Sequence, residues 1–145
     1  MKILVGYPPN YEEIIKKFDL RNVKPVFAYG DIIYNPHNCP IADHILVHEK
    51  VHEKQQLDTN FITDLGVKQQ MTPKIWWKLY LEDKGFRLEQ EIPAYQAQFK
   101  FVKKIVKDKN VVNNFLITIA KDLSGKMYGN MLSFEQAIQA IKGRE

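Results

Sequence analysis

The chain has one cysteine, Cys39, and lacks long apolar runs. A single cysteine cannot form an internal disulfide, which excludes a small secreted fold held together by disulfide bonds. No segment approaches the roughly 20 apolar residues of a membrane-spanning helix. The first apolar run, at residues 3–5, is also far too short for a signal peptide. We therefore expect a cytoplasmic protein that does not associate with membranes.

A strong excess of charge is missing too. The net charge is +4, and 45% of the 145 residues are apolar, which is typical of a globular protein. Repeats, low-complexity tracts and linkers are absent, so we predict one domain over residues 1–145. The densest group of lysines has no nucleic-acid-binding motif beside it, and we expect a solvated helix face rather than a phosphate-binding surface. These lysines are Lys100, Lys103, Lys104, Lys107 and Lys109.

Two of only four histidines belong to the motif His48-Glu49-Lys50-Val51-His52. Histidines four residues apart lie on one face of a helix, where both can bind one Zn²⁺ beside the intervening glutamate. They also continue an apolar stripe formed by Ile41 and Ile45, so we predict that they face inward. Zinc with three protein ligands keeps a position for water, whose proton Glu49 can accept. The motif predicts zinc-dependent peptide-bond hydrolysis.

The third zinc ligand is expected to be a carboxylate, because no histidine follows His52. Asp58 lies where peptidases with the pattern H-E-x-x-H-x-x-G-x-x-H/D have their third zinc ligand. That pattern requires a glycine at position 55, where this chain has Gln55. A later helix with a core-facing stripe carries two other candidates. At about 100° per residue, Glu91 lies about 60° from the stripe centre and Glu89 about 100°. Glu91 is the better placed, although Pro93 predicts a kink or a later helix start that keeps Glu89 in contention.

The segment His48 to His52 with Gln55, followed by Leu88-Glu89-Gln90-Glu91-Ile92-Pro93-Ala94-Tyr95, resembles the small gluzincin-type zinc metallopeptidases that bacteriophages and prophages often encode. The resemblance covers mainly residues 41–98. It implies that His48, His52 and Glu91 bind zinc and that Glu49 is the general base. It also implies a zincin-like fold, a peptide or protein substrate, and the host cytoplasm as the location if a phage encodes the chain. The insertion of Ile92-Pro93 before Ala94 departs from the family pattern.

The rest of the chain predicts an α+β domain, in which a small sheet packs on a mainly helical body with an active-site helix and a glutamate helix. Residues 3–5 suit a buried strand, residues 11–18 a helix, and residues 26–34 a hairpin or a bulged strand. Pro40 is expected in the first turn of the motif helix. The apolar and aromatic residues of segment 75–81 are expected to form core that packs the two metal-binding helices together, and the alternative is the wall of a substrate pocket. In a zinc peptidase, an edge strand of the sheet can pair with an extended substrate.

Tyr128 lies in a loop, residues 124–130, between two predicted helices. A tyrosine hydroxyl can stabilise the oxyanion of peptide hydrolysis, so Tyr128 is a candidate for this role and Tyr95 competes with it. His44 is expected to be a hydrogen-bonding neighbour of the motif, because its distance from His52 along the helix, about 12 Å, excludes a shared zinc.

Two hypotheses compete with the peptidase. One is a zinc-stabilised structural or assembly protein of a phage with little turnover, and the other is a nucleic-acid-associated factor. The presence of Glu49 favours the enzyme, because a structural zinc site has no use for a base and closes its fourth position with a protein ligand.

Overall fold

Six α-helices and two small sheets are present in residues 1–143, the part of the chain that the computed structural model describes. The helices are α1 (Tyr11–Lys17), α2 (Asp43–Gln56), α3 (Pro73–Glu82), α4 (Lys84–Ile105), α5 (Lys109–Leu123) and α6 (Phe134–Lys142). The strands are β1 (Lys2–Leu4), β2 (Phe27–Tyr29), β3 (Ile32–Tyr34), β4 (Phe61–Ile62) and β5 (Lys68–Gln69), and a 3₁₀ turn spans Lys126–Tyr128. The predicted α+β class is confirmed.

The chain divides into two compact units. The first contains Met1–Ile41 and Glu49–Glu82, and the second contains Ala42–His48 and the chain from Asp83 onward. The single domain predicted for residues 1–145 stays a prediction, and residues 144 and 145 lie outside the described part. Within residues 1–143, no helix has the length and apolar character of a membrane span.

The three-stranded sheet of the first unit has β3 at its centre. Strands β2 and β3 form an antiparallel hairpin, and β1 pairs with β3 in parallel, so β1 and β2 are the edges. The predicted hairpin is confirmed, with Gly30 at φ +63° in its turn. The prediction that β1 is buried is wrong, because Ile3 and Leu4 are 49% and 44% exposed. An apolar run of three residues can occupy a sheet edge without being covered.

Aromatic side chains of α3 form much of the core of the first unit. Trp76, Trp77 and Tyr80 are buried, and the rings of Trp76 and Tyr80 stack with their centroids 4.9 Å apart. The indole N–H of Trp77 donates a hydrogen bond to the carbonyl oxygen of Ala28 in β2. These three residues are core, as predicted, and they join α3 to the sheet.

Gln56, the last residue of α2, holds that helix to the hairpin. Its side chain is fully buried; Nε2 donates to the carbonyl oxygen of Ala28 at 2.8 Å, and Oε1 accepts from the backbone N–H of Gly30 at 2.7 Å. Since a buried amide needs partners for both of its ends, this residue fixes where α2 ends relative to β2 and β3.

Helices α4, α5 and α6 pack around a shared core in the second unit. This core includes Leu88, Tyr95, Leu116, Leu123 and Ile141. Asp83 and Asp108 cap the N-termini of α4 and α5, and Ser133 forms a capping box with Gln136 at the start of α6. Lys103 and Lys104 lie exposed in the last turn of α4, where positive charge complements the helix dipole.

Two predictions about helix starts need correction. Helix α2 begins at Asp43, so Pro40 precedes its first turn rather than occupying it. Helix α4 begins at Lys84 and continues through Pro93, so the later start considered for it is wrong. Pro93 is exposed, which lets water reach the Glu89 carbonyl that has lost its helical donor.

We predict that Gln56→Leu lowers the free energy of unfolding by about 2–3 kcal/mol, because it removes two buried hydrogen bonds and leaves the Gly30 N–H without its acceptor. Urea denaturation followed by circular dichroism measures this change. The control is Gln139→Leu on the exposed face of α6, which should change stability by less than about 0.5 kcal/mol. Equal effects of the two substitutions would contradict the anchoring role of Gln56.

Candidate metal centre

The buried residues of helix α2 are all polar. They are Glu49, His52 and Gln56, at 9%, 5% and 0% exposure. His48 lies one turn before His52, and its side chain is only 12% exposed. A helix normally buries apolar side chains, and buried polar groups must be compensated by partners. The inward orientation predicted for both motif histidines is therefore observed, and their partners decide what they can bind.

His48 contacts Glu91 of helix α4. The distance between His48 Nε2 and Glu91 Oε1 is 2.9 Å, and Glu91 is only 4% exposed. This distance is that of a hydrogen bond between a ring nitrogen and a carboxyl oxygen. A metal cation at this point would satisfy the same two atoms, since imidazole and carboxylate are both zinc ligands.

A glutamine amide bridges His48 to His44. Gln98 Oε1 lies 2.9 Å from His48 Nδ1, and Gln98 Nε2 lies 2.8 Å from His44 Nδ1. An amide oxygen only accepts, so in this arrangement His48 Nδ1 carries the proton and donates it. The lone pair of a neutral His48 is then on Nε2, the nitrogen that faces Glu91.

His52 has the same arrangement with a different glutamine. Its Nδ1 lies 2.8 Å from Gln55 Oε1, so Nδ1 donates and Nε2 carries the lone pair in the neutral ring. The ring also packs on Trp76, with the two centroids 5.1 Å apart. Metal-binding histidines typically donate their other ring N–H to an oxygen acceptor, which sets the tautomer and orients the ring.

One candidate ligand atom each from His48, His52 and Glu91 forms a group in which every pair lies within 4.8 Å. Ligand atoms about 2.0–2.1 Å from a tetrahedral zinc are about 3.3 Å apart. Two imidazole nitrogens and one carboxylate oxygen are a donor set that zinc accepts.

The other carboxylates considered as the third ligand lie outside this group. Glu89 is on α4 but exposed, and Asp58 is exposed beyond the end of α2, where its side chain accepts from the backbone N–H of Asn60. The buried residues of α4 explain the difference between the two glutamates. Glu91, Tyr95 and Gln98 follow one another at spacings of four and three, whereas Glu89 points away from this stripe.

Tyr128 also contacts Glu91. Its hydroxyl lies 3.3 Å from Glu91 Oε2 and 3.2 Å from the hydroxyl of Tyr95, and Tyr128 is only 4% exposed. The 3₁₀ turn that carries Tyr128 ends at Gly129, whose φ of +74° favours glycine. Of the two tyrosines proposed for the oxyanion, Tyr128 contacts Glu91, and Tyr95 contacts the Tyr128 hydroxyl and packs on the His48 ring. Its catalytic role stays a prediction.

His44 is linked to His48 through Gln98 rather than directly. Burial lowers the pKa of His44, the proximity of His48 lowers it further, and Asp43 opposes this shift. A lowered pKa favours the neutral ring, whose Nδ1 can accept from the Gln98 amide. The His44 ring also packs edge to face on Phe115, with the centroids 5.0 Å apart.

The parts played by Gln98 and Gln55 were not predicted from the sequence. Gln98 lies seven residues after Glu91, two helical turns along the same face, and Gln55 lies three residues after His52. These spacings were visible, but glutamine is common on solvated helices. Its burial, at 3% exposure, distinguishes Gln98 from glutamines on solvated helix faces.

Comparison of the chain with protein-family models, with curated proteins and with solved structures gives no match in any of the three.

We predict that protein purified without added metal contains about one zinc per chain, and that Glu91→Ala loses most of it because one of three ligands is removed. Plasma mass spectrometry measures the metal content. The matched control is Glu89→Ala, which removes an exposed carboxylate from the same helix and should retain the zinc. Zinc that persists in Glu91→Ala but is lost in Glu89→Ala would contradict the assignment.

Proposed function

We propose that this chain is a zinc-dependent peptidase in which His48, His52 and Glu91 bind the metal. The observation that carries the proposal is the pairing of both histidine Nδ1 atoms with glutamine oxygens, beside a buried carboxylate 2.9 Å from His48. This pairing leaves the Nε2 lone pair of each histidine available for metal coordination. In residues 1–143, the group offers three protein ligands rather than four, which favours a catalytic over a purely structural site.

Zinc at such a site lowers the pKa of a bound water and polarises the substrate carbonyl. Glu49, between the two histidines on α2, is the general base in this proposal. It takes the proton from the attacking water and delivers it to the leaving amine.

Tyr128 is the proposed electrophile. Its hydroxyl donates toward Glu91 Oε2 at 3.3 Å, which is a long hydrogen bond for a hydroxyl donor. In the proposed mechanism the hydroxyl turns to the oxyanion that forms when the peptide carbonyl is attacked. Tyr95, at 3.2 Å from the Tyr128 hydroxyl, holds it in position.

The proposed substrate is a peptide or protein segment in extended conformation. The sheet of the first unit has an edge at β1, and the backbone of an edge strand can pair with such a segment. A zincin-like arrangement, an origin in a phage or prophage and a place in the host cytoplasm complete the proposal. All three follow from the resemblance of the two motifs.

We predict that Glu49→Gln lowers kcat for peptide hydrolysis by at least about 10²-fold, because glutamine cannot accept the proton. The zinc content should be unchanged, since Glu49 is not a ligand. A quenched fluorescent peptide library measures turnover, with Glu89→Gln as the exposed control. Wild-type protein that binds zinc but cleaves no peptide in the library, or a Glu49→Gln variant that matches it, would favour the structural or assembly role.

We predict that Tyr128→Phe lowers kcat about 10²–10³-fold, with little change in KM or zinc content, because only the transition state carries the oxyanion. Tyr95→Phe should have a smaller effect, since its hydroxyl acts through Tyr128. Steady-state kinetics and metal analysis of both variants test this. Loss of zinc from Tyr128→Phe would show instead that the tyrosine serves to hold Glu91.

A further inference from the structure

We propose that Gln98 and His44 act together as positioning residues that select Nε2 of His48 as the metal-binding nitrogen. This inference rests on the proposed zinc site and adds two residues to it that the motif does not contain. Neither residue touches the metal or the substrate in this proposal. They act through the proton on His48 Nδ1.

The argument begins with the fixed polarity of an amide. The Nε2 end of Gln98 can only donate and its Oε1 end can only accept. At 2.8 Å from the amide nitrogen, His44 Nδ1 must be the acceptor, and at 2.9 Å from the amide oxygen, His48 Nδ1 must be the donor. One amide therefore determines the proton position on two rings.

His44 prevents the amide from turning over. A rotation of 180° would place the amide oxygen against the lone pair of His44 Nδ1 and the amide N–H₂ against the N–H of His48. When Nε2 of His48 binds the metal, its Nδ1 carries the proton, and with His44 unprotonated at Nδ1 both contacts would be repulsive. Gln98 is also too buried, at 3% exposure, for water to replace the lost bonds. The His44 acceptor thus fixes the direction in which Gln98 points its oxygen.

The two imidazole rings are themselves held by aromatic neighbours. His48 packs edge to face on Tyr95 at 4.8 Å between centroids, and His44 packs on Phe115 at 5.0 Å. Since packing restrains the ring planes, the remaining freedom of His48 is which nitrogen carries the proton. The amide oxygen, directed at Nδ1, favours the proton on that nitrogen and leaves Nε2 for the metal.

Helix α4 supplies both Glu91 and Gln98. Gln98 follows Glu91 by seven positions, about two turns, so both side chains lie on one face of the helix. Both reach the same imidazole, at Nε2 and at Nδ1. One rigid helix therefore presents a ligand and orients a second ligand. This arrangement makes the zinc affinity sensitive to a residue that does not coordinate zinc.

The test measures the zinc dissociation constant by competition with a chromophoric chelator for the wild type and three variants. Gln98→Met removes the acceptor at similar length and should weaken zinc binding about 10–100-fold. Gln98→Glu keeps an oxygen acceptor for His48 Nδ1 and should bind zinc within about threefold of the wild type or more tightly. His44→Phe keeps a ring against Phe115, frees the amide to turn, and should weaken binding less than Gln98→Met does.

A second measurement reads the tautomer directly. Long-range ¹H–¹⁵N correlation spectra of zinc-loaded protein with labelled histidine should show His48 protonated at Nδ1 and coordinated at Nε2 in the wild type and in Gln98→Glu. In Gln98→Met the spectra should show a mixture of tautomers or coordination through Nδ1. A purely structural role for Gln98 would lower the melting temperature of the variants without changing these signals.

The outcomes separate this inference from the function on which it rests. Wild-type protein that binds zinc, with Gln98→Met equal to it in affinity and tautomer, overturns the positioning role and leaves the metal site intact. Coordination of His48 through Nδ1 in the wild type also overturns it. Wild-type protein that binds no zinc overturns both the inference and the proposed function.

Discussion

The contact between buried His48 and Glu91 is the constraint on which the arrangement of the site depends. A carboxylate at 4% exposure loses most of its hydration, and a positive partner must offset that cost. Here one partner is the imidazole 2.9 Å away. In the proposed site, a divalent cation supplies the positive charge that the buried carboxylate needs.

Glutamine has three distinct tasks on or near helix α2, and each depends on the fixed polarity of its amide. Gln98 and Gln55 direct oxygen atoms at the Nδ1 atoms of the two motif histidines, and Gln56 binds the helix to the hairpin of β2 and β3. A carboxylate would orient an imidazole as well, but it would add negative charge to a site that already contains Glu49 and Glu91. A neutral acceptor sets the tautomer without that repulsion.

Pro93 shows how helix α4 accommodates a residue that usually ends a helix. Its ring is exposed, while Glu91 and Ala94 on either side are buried, so the missing hydrogen bond falls on the solvated side. The helix therefore keeps one face for Glu91, Tyr95 and Gln98 across the proline. Glu91 therefore remains 2.9 Å from His48 although Ile92-Pro93 follows it directly.

The sequence by itself determined the α+β class, the hairpin, the inward face of the histidine motif and the preference for Glu91. These follow from local periodicity, since the spacing of side chains along one helix or strand is fixed by backbone geometry. Only the tertiary structure decided the exposure of β1, the start of α2 at Asp43 and the partners of Tyr128. It alone revealed the role of Gln98, because this residue is 54 positions from His44 and 50 positions from His48 in the chain. Contacts of that kind depend on how helices pack, which periodicity within one helix cannot specify.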